Sequence, residues 1–466
     1  MSDDGAGGIS LDELGALAQR AKEAAGAAGA GDAEAYAEDS RGLELRVYED
    51  EVESLSESGA RGVGIRAWLH GRAGYAYGTY LSKPGLREIA EAAVGAARIA
   101  DPDDHAAPPV PGAIADPIEG LVGPATDEWP TERKVELGRA IERASRAADA
   151  RVKVIEETIY SEESERVAIA SSRGAEGAFE ASVAYAYLQA IAIEEGDRPD
   201  RQSGLGFGLG RSPVDLDPDA IGRESADRAT SLLGAEKPRS RTCPIVLDPT
   251  VAASFAGFIG AVLCADSVQR GRSPFADRLG EEIGSAALTL ADDGRDPKGL
   301  ASSPFDAEGT PRGRTPLIDR GRLANYLHDS YTARREGDGA RSTGNASRAG
   351  YRSPPSVGTS NLIVEAGDRG FDELLAEAGD GVYVTDVAGL HSGVNPVSGT
   401  FSVGATGRLI ESGELTRPAD EFTIASDLVS TLKAVTATGS EARWVPFGGS
   451  VRTPALLIGE MAVDGV

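Results

Sequence analysis

Residues 43–69 read LELRVYEDEVESLSESGARGVGIRAWL, and apolar side chains recur at every second position near both ends of this stretch. These side chains belong to Leu43, Leu45 and Val47, and then to Val63, Ile65, Ala67 and Leu69. A period of two places alternate side chains on one face of a β-strand. The stretch therefore predicts two strands, within an antiparallel meander that spans residues 33–81 and turns near Gly71.

Helical spacing of apolar residues surrounds this meander. It predicts helices over residues 11–27, 84–100, 131–148 and 217–233. Strand patterns are found over residues 152–159, 168–171 and 182–193, and the alternating glycines of residues 204–210 predict a further strand. A segment rich in Pro, Ala and Asp, residues 101–117, predicts a long loop. These elements predict an N-terminal α/β-sheet domain over residues 1–240.

Beyond residue 240 the patterns favour strands. Residues 244–248 predict a strand that leads into an apolar helix over residues 251–265. Further strands are predicted over residues 315–318, 362–364, 382–387, 400–405 and 456–461, with helices over residues 372–377 and 422–435. The fold class is therefore α+β, with a β-rich C-terminal domain over residues 241–466.

The charge of the chain limits its partners. The formal net charge is −27, and the acidic residues are spread along the whole sequence. Binding to nucleic acid depends on Lys and Arg placed against phosphates, and binding to an anionic membrane surface needs the same charges, so neither partner is expected. No stretch approaches the roughly 20 apolar residues of a membrane span, and no secretion signal is seen, which predicts a cytoplasmic protein.

Motifs for hydrolytic chemistry are missing from the sequence. None of the four histidines is followed by Glu, and no two are spaced as zinc ligands on one helix. There is no GxSxG nucleophile motif, and Cys243 and Cys264 do not form a CxxC pair. We therefore expect neither a catalytic residue nor a metal ligand in this chain.

Residues 388–405, AGLHSGVNPVSGTFSVGA, are unusual because small residues and hydroxyls are concentrated between two predicted strands. A loop of this kind allows close backbone approach and suits recognition of an extended peptide through main-chain hydrogen bonds. The candidate substrate-binding residues are His391, Ser392, Gly393, Asn395, Ser398, Gly399 and Phe401. The alternative is a tight, glycine-rich connection inside the β-domain, with His391 bonded to neighbouring backbone.

The same stretch resembles a characteristic segment of TldE/PmbA proteins, from the TldD/TldE metalloprotease family. Other segments resemble the family in the same order along the chain. They are RVYEDEVESLSESGARGVGIRAW (46–68), SVQRGRSPFADRLGE (267–281), PLIDRGRLANYLHDSYTARR (316–335), STGNASRAGY (342–351) and TSNLIVEAG (359–367). Together these segments span nearly the whole chain. Several of them are long and they keep the same order, which argues against a chance match. An older name in the family is modulator of DNA gyrase.

The resemblance implies a noncatalytic role. TldD proteins carry zinc on an HExxxH helix, with a further Cys downstream, whereas TldE proteins lack this site. Laying SFAGFIGAVLCAD (254–266) against that helix places Ala256, Gly257 and Ala261 at the HExxxH positions, and no Cys follows Glu441. The implied protein is a TldE-like subunit that pairs with a zinc-bearing TldD-like subunit and shapes a chamber for unfolded or extended peptides.

Two other functions stay open on the sequence. One is a homo-oligomeric scaffold that binds peptides without a protease partner. The other is an enzyme in its own right, which uses His391 with nearby hydroxyls or acids, or a repurposed metal site. The HExxxH positions favour neither of them.

Overall fold

The computed structural model describes residues 8–110, 116–124, 128–196, 199–337, 339–446 and 449–466, and for His391 the backbone alone. The fold is α+β, as the sequence predicts: a six-stranded sheet with helices precedes a strand-rich C-terminal half. Every strand of the first sheet lies before residue 240 and every strand of the second lies after it. The division into two domains at residue 240 stays a prediction.

The first sheet is antiparallel throughout, in the order β3-β2-β1-β4-β5-β6. Its strands are β1 (Asp32–Tyr48), β2 (Glu51–Leu69), β3 (Arg72–Gly78), β4 (Val152–Ser171), β5 (Glu176–Glu194) and β6 (Asp200–Gly210). The predicted meander is confirmed as β1, β2 and β3. The two short strands predicted between residues 152 and 171 form one continuous strand, β4.

Four helices cover one face of this sheet: α1 (Leu11–Ala27), α2 (Lys83–Ile99), α3 (Thr131–Ala148) and α4 (Pro218–Ser231). All four predicted helices are confirmed. Side chains of β1 alternate between the two faces, so that Ala35 and Leu45 pack among the helices while Tyr36 contacts the C-terminal half. Residues 101–110 contain no helix or strand, and residues 111–115 of the predicted loop lie outside the described residues.

The second sheet has ten strands, and five of them close a ring in the order β18-β16-β15-β14-β7-β18. Its strands are β7 (Arg241–Leu247), β8 (Leu290–Asp293), β9 (Arg314–Asp319), β10 (Arg322–Leu323), β13 (Asn361–Val364), β14 (Gly381–Ala388), β15 (Thr400–Glu411), β16 (Glu414–Asp427), β17 (Val435–Val445) and β18 (Ser450–Asp464), with a separate pair formed by β11 (Ala346–Ser347) and β12 (Ser356–Val357). The helices of this half are α5 (Pro249–Val262), α6 (Ala265–Gln269), α7 (Ser330–Glu336), α8 (Phe371–Ala378), α9 (Leu390–Gly393) and α10 (Leu428–Lys433).

The helix predicted over residues 422–435 is wrong. Strand β16 continues to Asp427, and only Leu428–Lys433 are helical. Phe422 and Ile424 are both buried on one face of the strand, which is a period of two. The helix begins only where the Asp427 carboxylate accepts a hydrogen bond from the Ser430 amide at 2.9 Å. No helix in the described part of the chain is long and apolar enough to cross a membrane.

Candidate functional site

Helix α5 carries the three positions that the resemblance aligns with the HExxxH motif. The helix begins after Asp248, whose carboxylate accepts a hydrogen bond from the Thr250 amide at 2.9 Å. Ala256 is buried, and its methyl group lines an apolar cavity of about 30 Å³ with aliphatic neighbours such as Leu288 and Leu432. Ala261, five residues further on, is exposed to solvent. The two positions therefore lie in different environments.

These residues do not fit a zinc ion. Zinc in proteins is held by thiolate, imidazole or carboxylate groups, and Ala256, Gly257 and Ala261 offer none of these. Within the described ranges, no three His, Cys, Asp or Glu side chains are grouped so that they can hold a metal ion. Cys264 follows the helix, and burial raises the pKa of its thiol to about 12, so it is held as a neutral thiol.

The glycine-rich loop between β14 and β15 is a compact turn. Gly389 has a left-handed backbone (φ 84°) and begins the single helical turn α9. The Asn395 side chain accepts hydrogen bonds from the amides of Val397 at 2.9 Å and Ser398 at 3.2 Å. The Asn395 amide itself donates to the carbonyl oxygen of Thr400 at 2.8 Å. The polar atoms of Asn395 therefore hold the loop in shape.

Three of the candidate residues, Phe401, Gly393 and Gly399, are packed closely against other parts of the fold. Phe401 is buried in the main core, where its ring contacts Phe255 edge to face with centroids 5.1 Å apart. A Cβ atom on Gly393 would lie 2.5 Å from the carbonyl oxygen of Ser402. Gly399 is buried and left-handed (φ 75°). These residues position the loop. The Phe401 ring packs in the core, and the two glycines lie where a side chain would clash or strain the backbone.

Ser392, Asn395 and Ser398 lie at the loop surface, and the side chain of His391 lies outside the described residues. Strand β15, which follows the loop, has a backbone partner on both sides at Phe401. Phe401 pairs with Ser426 of β16 on one side and forms a bridge with Val394 on the other. A bound peptide would therefore meet residues 392–398 before it reached the backbone of β15. The assignment of the loop to substrate binding stays a prediction.

A charged cleft of about 210 Å³ lies between the first sheet and the C-terminal half. Arg66 of β2 donates to Glu34 at 2.6 Å and to Glu308 at 2.9 Å. The Ser330 amide donates to the other oxygen of Glu308 at 2.9 Å. Burial alone would raise the pKa of Glu308, but the charge of Arg66 and the Ser330 hydrogen bond lower it, so this carboxylate is ionised.

The cleft opens beside α6, the short helix that follows α5. Asp266, Gln269 and Arg270 form part of its wall, and Asp329 and Arg334 form another part. Such an array of fixed guanidinium and carboxylate groups can orient a polar or charged ligand. The sequence did not single out this cleft, because its residues come from segments more than 200 positions apart. Segments 46–68 and 316–335 contain Arg66 and Arg334, but nothing in either segment indicates that the two arginines line one cleft.

Family models match this chain in three parts. Residues 33–97 match PmbA/TldA metallopeptidase domain 1, residues 124–233 match the central domain, and residues 240–465 match the C-terminal domain. Among relatives, the metalloprotease PmbA of Escherichia coli O157:H7 is 28% identical over 91% of this chain and 90% of its own length. A metalloprotease TldD homolog of Haemophilus influenzae is 29% identical over 87% of each chain.

Solved structures share the fold. A Thermotoga maritima protein, described as a candidate modulator of a DNA gyrase, superposes with a TM-score of 0.86 at 26% identity. That match covers 96% of this chain and 99% of the other. TldE from Thermococcus kodakarensis superposes with a TM-score of 0.87 over 98% of this chain and all of its own, at 23% identity, which supports the fold alone.

Proposed function

This chain belongs to the PmbA/TldD family of metallopeptidases, and from that premise we propose that it is a noncatalytic, TldE-like subunit of a heterodimeric zinc metallopeptidase. Its partner is a TldD-like subunit that holds the zinc ion. Together the two subunits form a chamber for unfolded or extended peptides, and the complex works in the cytoplasm without nucleic acid.

One observation carries the proposal: helix α5 presents Ala256, Gly257 and Ala261 where the two His and the Glu of the family's HExxxH motif are expected. A methyl group turned into an apolar cavity cannot bind a metal ion or activate water. The relatives are named metalloproteases, which supports a role for this chain in peptide hydrolysis. Their names do not separate a catalytic from a noncatalytic subunit.

The role proposed for this subunit is to contact the substrate. The exposed hydroxyls of Ser392 and Ser398, on a loop whose shape Asn395 holds, supply donors and acceptors that suit an extended main chain. Recognition of the main chain would not depend on sequence, as is required for varied unfolded peptides. The zinc chemistry belongs to the partner, and no step of it is assigned to residues of this chain.

The test is to produce this chain alone, the TldD-like protein of the same genome alone, and the two together. Each preparation is analysed for bound zinc and for cleavage of casein. The proposal expects a one-to-one complex, with zinc and activity in preparations that contain the TldD-like chain and full activity only in the pair. Stoichiometric zinc or cleavage with this chain alone would favour an independent enzyme. A stable homo-oligomer that binds peptides and ignores the TldD-like chain would favour the scaffold.

A further inference from the structure

Strand β2 is paired with other strands on both of its sides along only part of its length. Residues Val63–Leu69 pair with β3, and helix α2 packs over the same region. Residues 51–62 pair with β1 on one side, and no described strand pairs with their other side. One end of this open stretch is covered, because the Tyr351 ring lies against Gly62. Residues 51–59 form the open edge of the sheet.

All nine residues of the open edge are exposed. Sheet proteins usually protect a long edge with Lys, Pro, bulges or a covering element, since unpaired N–H and C=O groups are a template for another strand. The open edge contains neither Lys nor Pro. Its one irregularity is a register shift against β1 between Arg46 and Val47. The irregularity at Glu53 and the three glutamates protect the edge in part. The outer N–H and C=O groups of residues 54–59, which pair regularly with β1, still have no strand partner among the described residues.

The helix layer is also incomplete at this edge. Leu55 lies directly opposite Leu45, which is fully buried in the core that includes α3. Leu55 nevertheless stays 42% exposed, and Val52 stays 43% exposed. A neighbouring strand that brings its own apolar side chains would cover both residues, just as β3 and α2 cover the other end of β2.

The open edge is acidic, and its charge favours a basic partner strand over an acidic one. It carries Glu51, Glu53 and Glu57 and no basic residue. Glu53 pairs with Arg46 at 2.5 Å, while no ion pair is formed by Glu51 or Glu57 in the described part of the chain. A second copy of this chain, with a net charge of −27, would add acidic residues beside acidic residues. A strand that carries Lys or Arg is the complementary partner.

We propose that the open edge, residues 51–59, pairs with an edge strand of the TldD-like subunit that presents Lys or Arg opposite Glu51 and Glu57. This inference rests on the proposed function, since it assigns the face by which that heterodimer forms. The sheet would then continue from one subunit into the other, and main-chain hydrogen bonds would fix their relative register.

The test compares two variants of equal charge. Val52→Lys with Leu55→Lys places cations on the open edge, and Tyr80→Lys with Ile99→Lys places them at exposed positions elsewhere. Affinity for the TldD-like subunit is measured by biolayer interferometry, after thermal melting shows that both variants are folded. The edge variant should bind about tenfold or more weakly, because introduced edge lysines prevent strand pairing. The control variant should bind like the wild type.

The outcomes separate the two claims. If the wild type binds and the edge variant binds equally well, the open edge is not the interface, while the proposed heterodimer stands. If the wild type does not bind the TldD-like subunit, both claims fall. If the edge variant instead abolishes a homodimer of this chain, the partner was wrongly chosen. A Glu51→Gln, Glu57→Gln variant should also weaken binding at low salt, and this difference should shrink as salt is raised.

Discussion

The Arg348 guanidinium forms an ion pair with the Glu34 carboxylate, and both side chains are only 1% exposed to solvent. Glu34 belongs to strand β1 of the first sheet, whereas Arg348 lies in the C-terminal half, 314 positions along the chain. Arg348 also lies over the Tyr36 ring, 4.7 Å from its centroid. The junction between the two halves of the protein is thus fixed by a charge pair that has no access to water.

Replacing Arg348 by Met should destabilise the protein strongly. The substitution leaves the Glu34 carboxylate buried with Arg66 as its remaining cation, and removing one member of a buried pair typically costs about 3–5 kcal/mol. Denaturant unfolding, monitored by fluorescence and circular dichroism, measures the loss. The matched control is Arg417→Met, because Arg417 pairs with Glu411 at 2.9 Å with side chains 65% and 48% exposed. That loss should be much smaller, because exposed ion pairs contribute little to stability, and equal losses would show that burial is not decisive.

The stability of the folded protein should depend on pH through the carboxyl group of Glu165. Burial and the nearby carboxylates of Glu163 and Glu38 raise the pKa of Glu165 to about 7, against the smaller opposing effect of Arg312 and Arg211. The folded pKa is above that of an unfolded glutamate, near 4.3, so the folded protein holds a proton that the unfolded chain releases. Its contribution to stability is complete below pH ~4.3 and is lost as the pH rises through about 7.

The Glu165→Gln variant does not titrate at this position. The stability of the wild type relative to this variant should therefore fall between about pH 4 and 7 and be constant above about pH 8. Unfolding midpoints of both proteins, measured at half-unit steps of pH, provide the comparison. A difference that does not depend on pH would mean that Glu165 has an ordinary pKa. Glu163→Gln should lower the pKa of folded Glu165, because it removes a neighbouring negative charge. The fall should then still begin near pH ~4.3, the pKa of an unfolded glutamate, but end at a lower pH.

Gly399 separates the structural from the functional role of the glycine-rich loop. Its φ of 75° disfavours any side chain, and an added Cβ would lie 3.1 Å from Pro274 Cγ. Gly399→Ala should therefore lower stability by about 1–2 kcal/mol, as measured by denaturant unfolding. Ser398→Ala, at the exposed neighbouring residue, should leave stability within about 0.5 kcal/mol. If Ser398→Ala with Ser392→Ala leaves peptide cleavage by the complex unchanged, the loop acts only in the fold.

Local signals explain which parts of the fold were predictable. Helix α1 begins at its predicted residue because Ser10 and Glu13 form a reciprocal capping box. The meander followed from alternation alone. The segment over residues 422–435 was misassigned because a strand and a short helix follow each other without a glycine or proline between them. Periodicity cannot place such a change within a few residues.

The candidate site was predictable only in outline. Composition pointed to the loop over residues 388–405, but it did not reveal that Asn395 bonds within the turn or that Phe401 belongs to the core. The charged cleft and the Glu34 pairings were not predictable at all, because ion pairs between distant segments leave no pattern in a single sequence. These contacts depend on how loops and short helices of the C-terminal half pack against the first sheet, and a short window of sequence carries no signal for that packing.

Helix α5 should not bind zinc even when the family's HExxxH motif is restored in it. The substitutions Ala256→His, Gly257→Glu and Ala261→His should not produce a site that holds zinc through extensive dialysis. The imidazole introduced by Ala256→His would have to enter an apolar cavity of about 30 Å³, which is too small for the ring and offers it no charged partner among the residues that line it. The triple variant should therefore unfold at lower denaturant concentration, whereas Ala261→His alone, at an exposed position, should be tolerated. Metal analysis that finds one zinc per chain in a folded triple variant would show that α5 needs only its ligands to bind the metal.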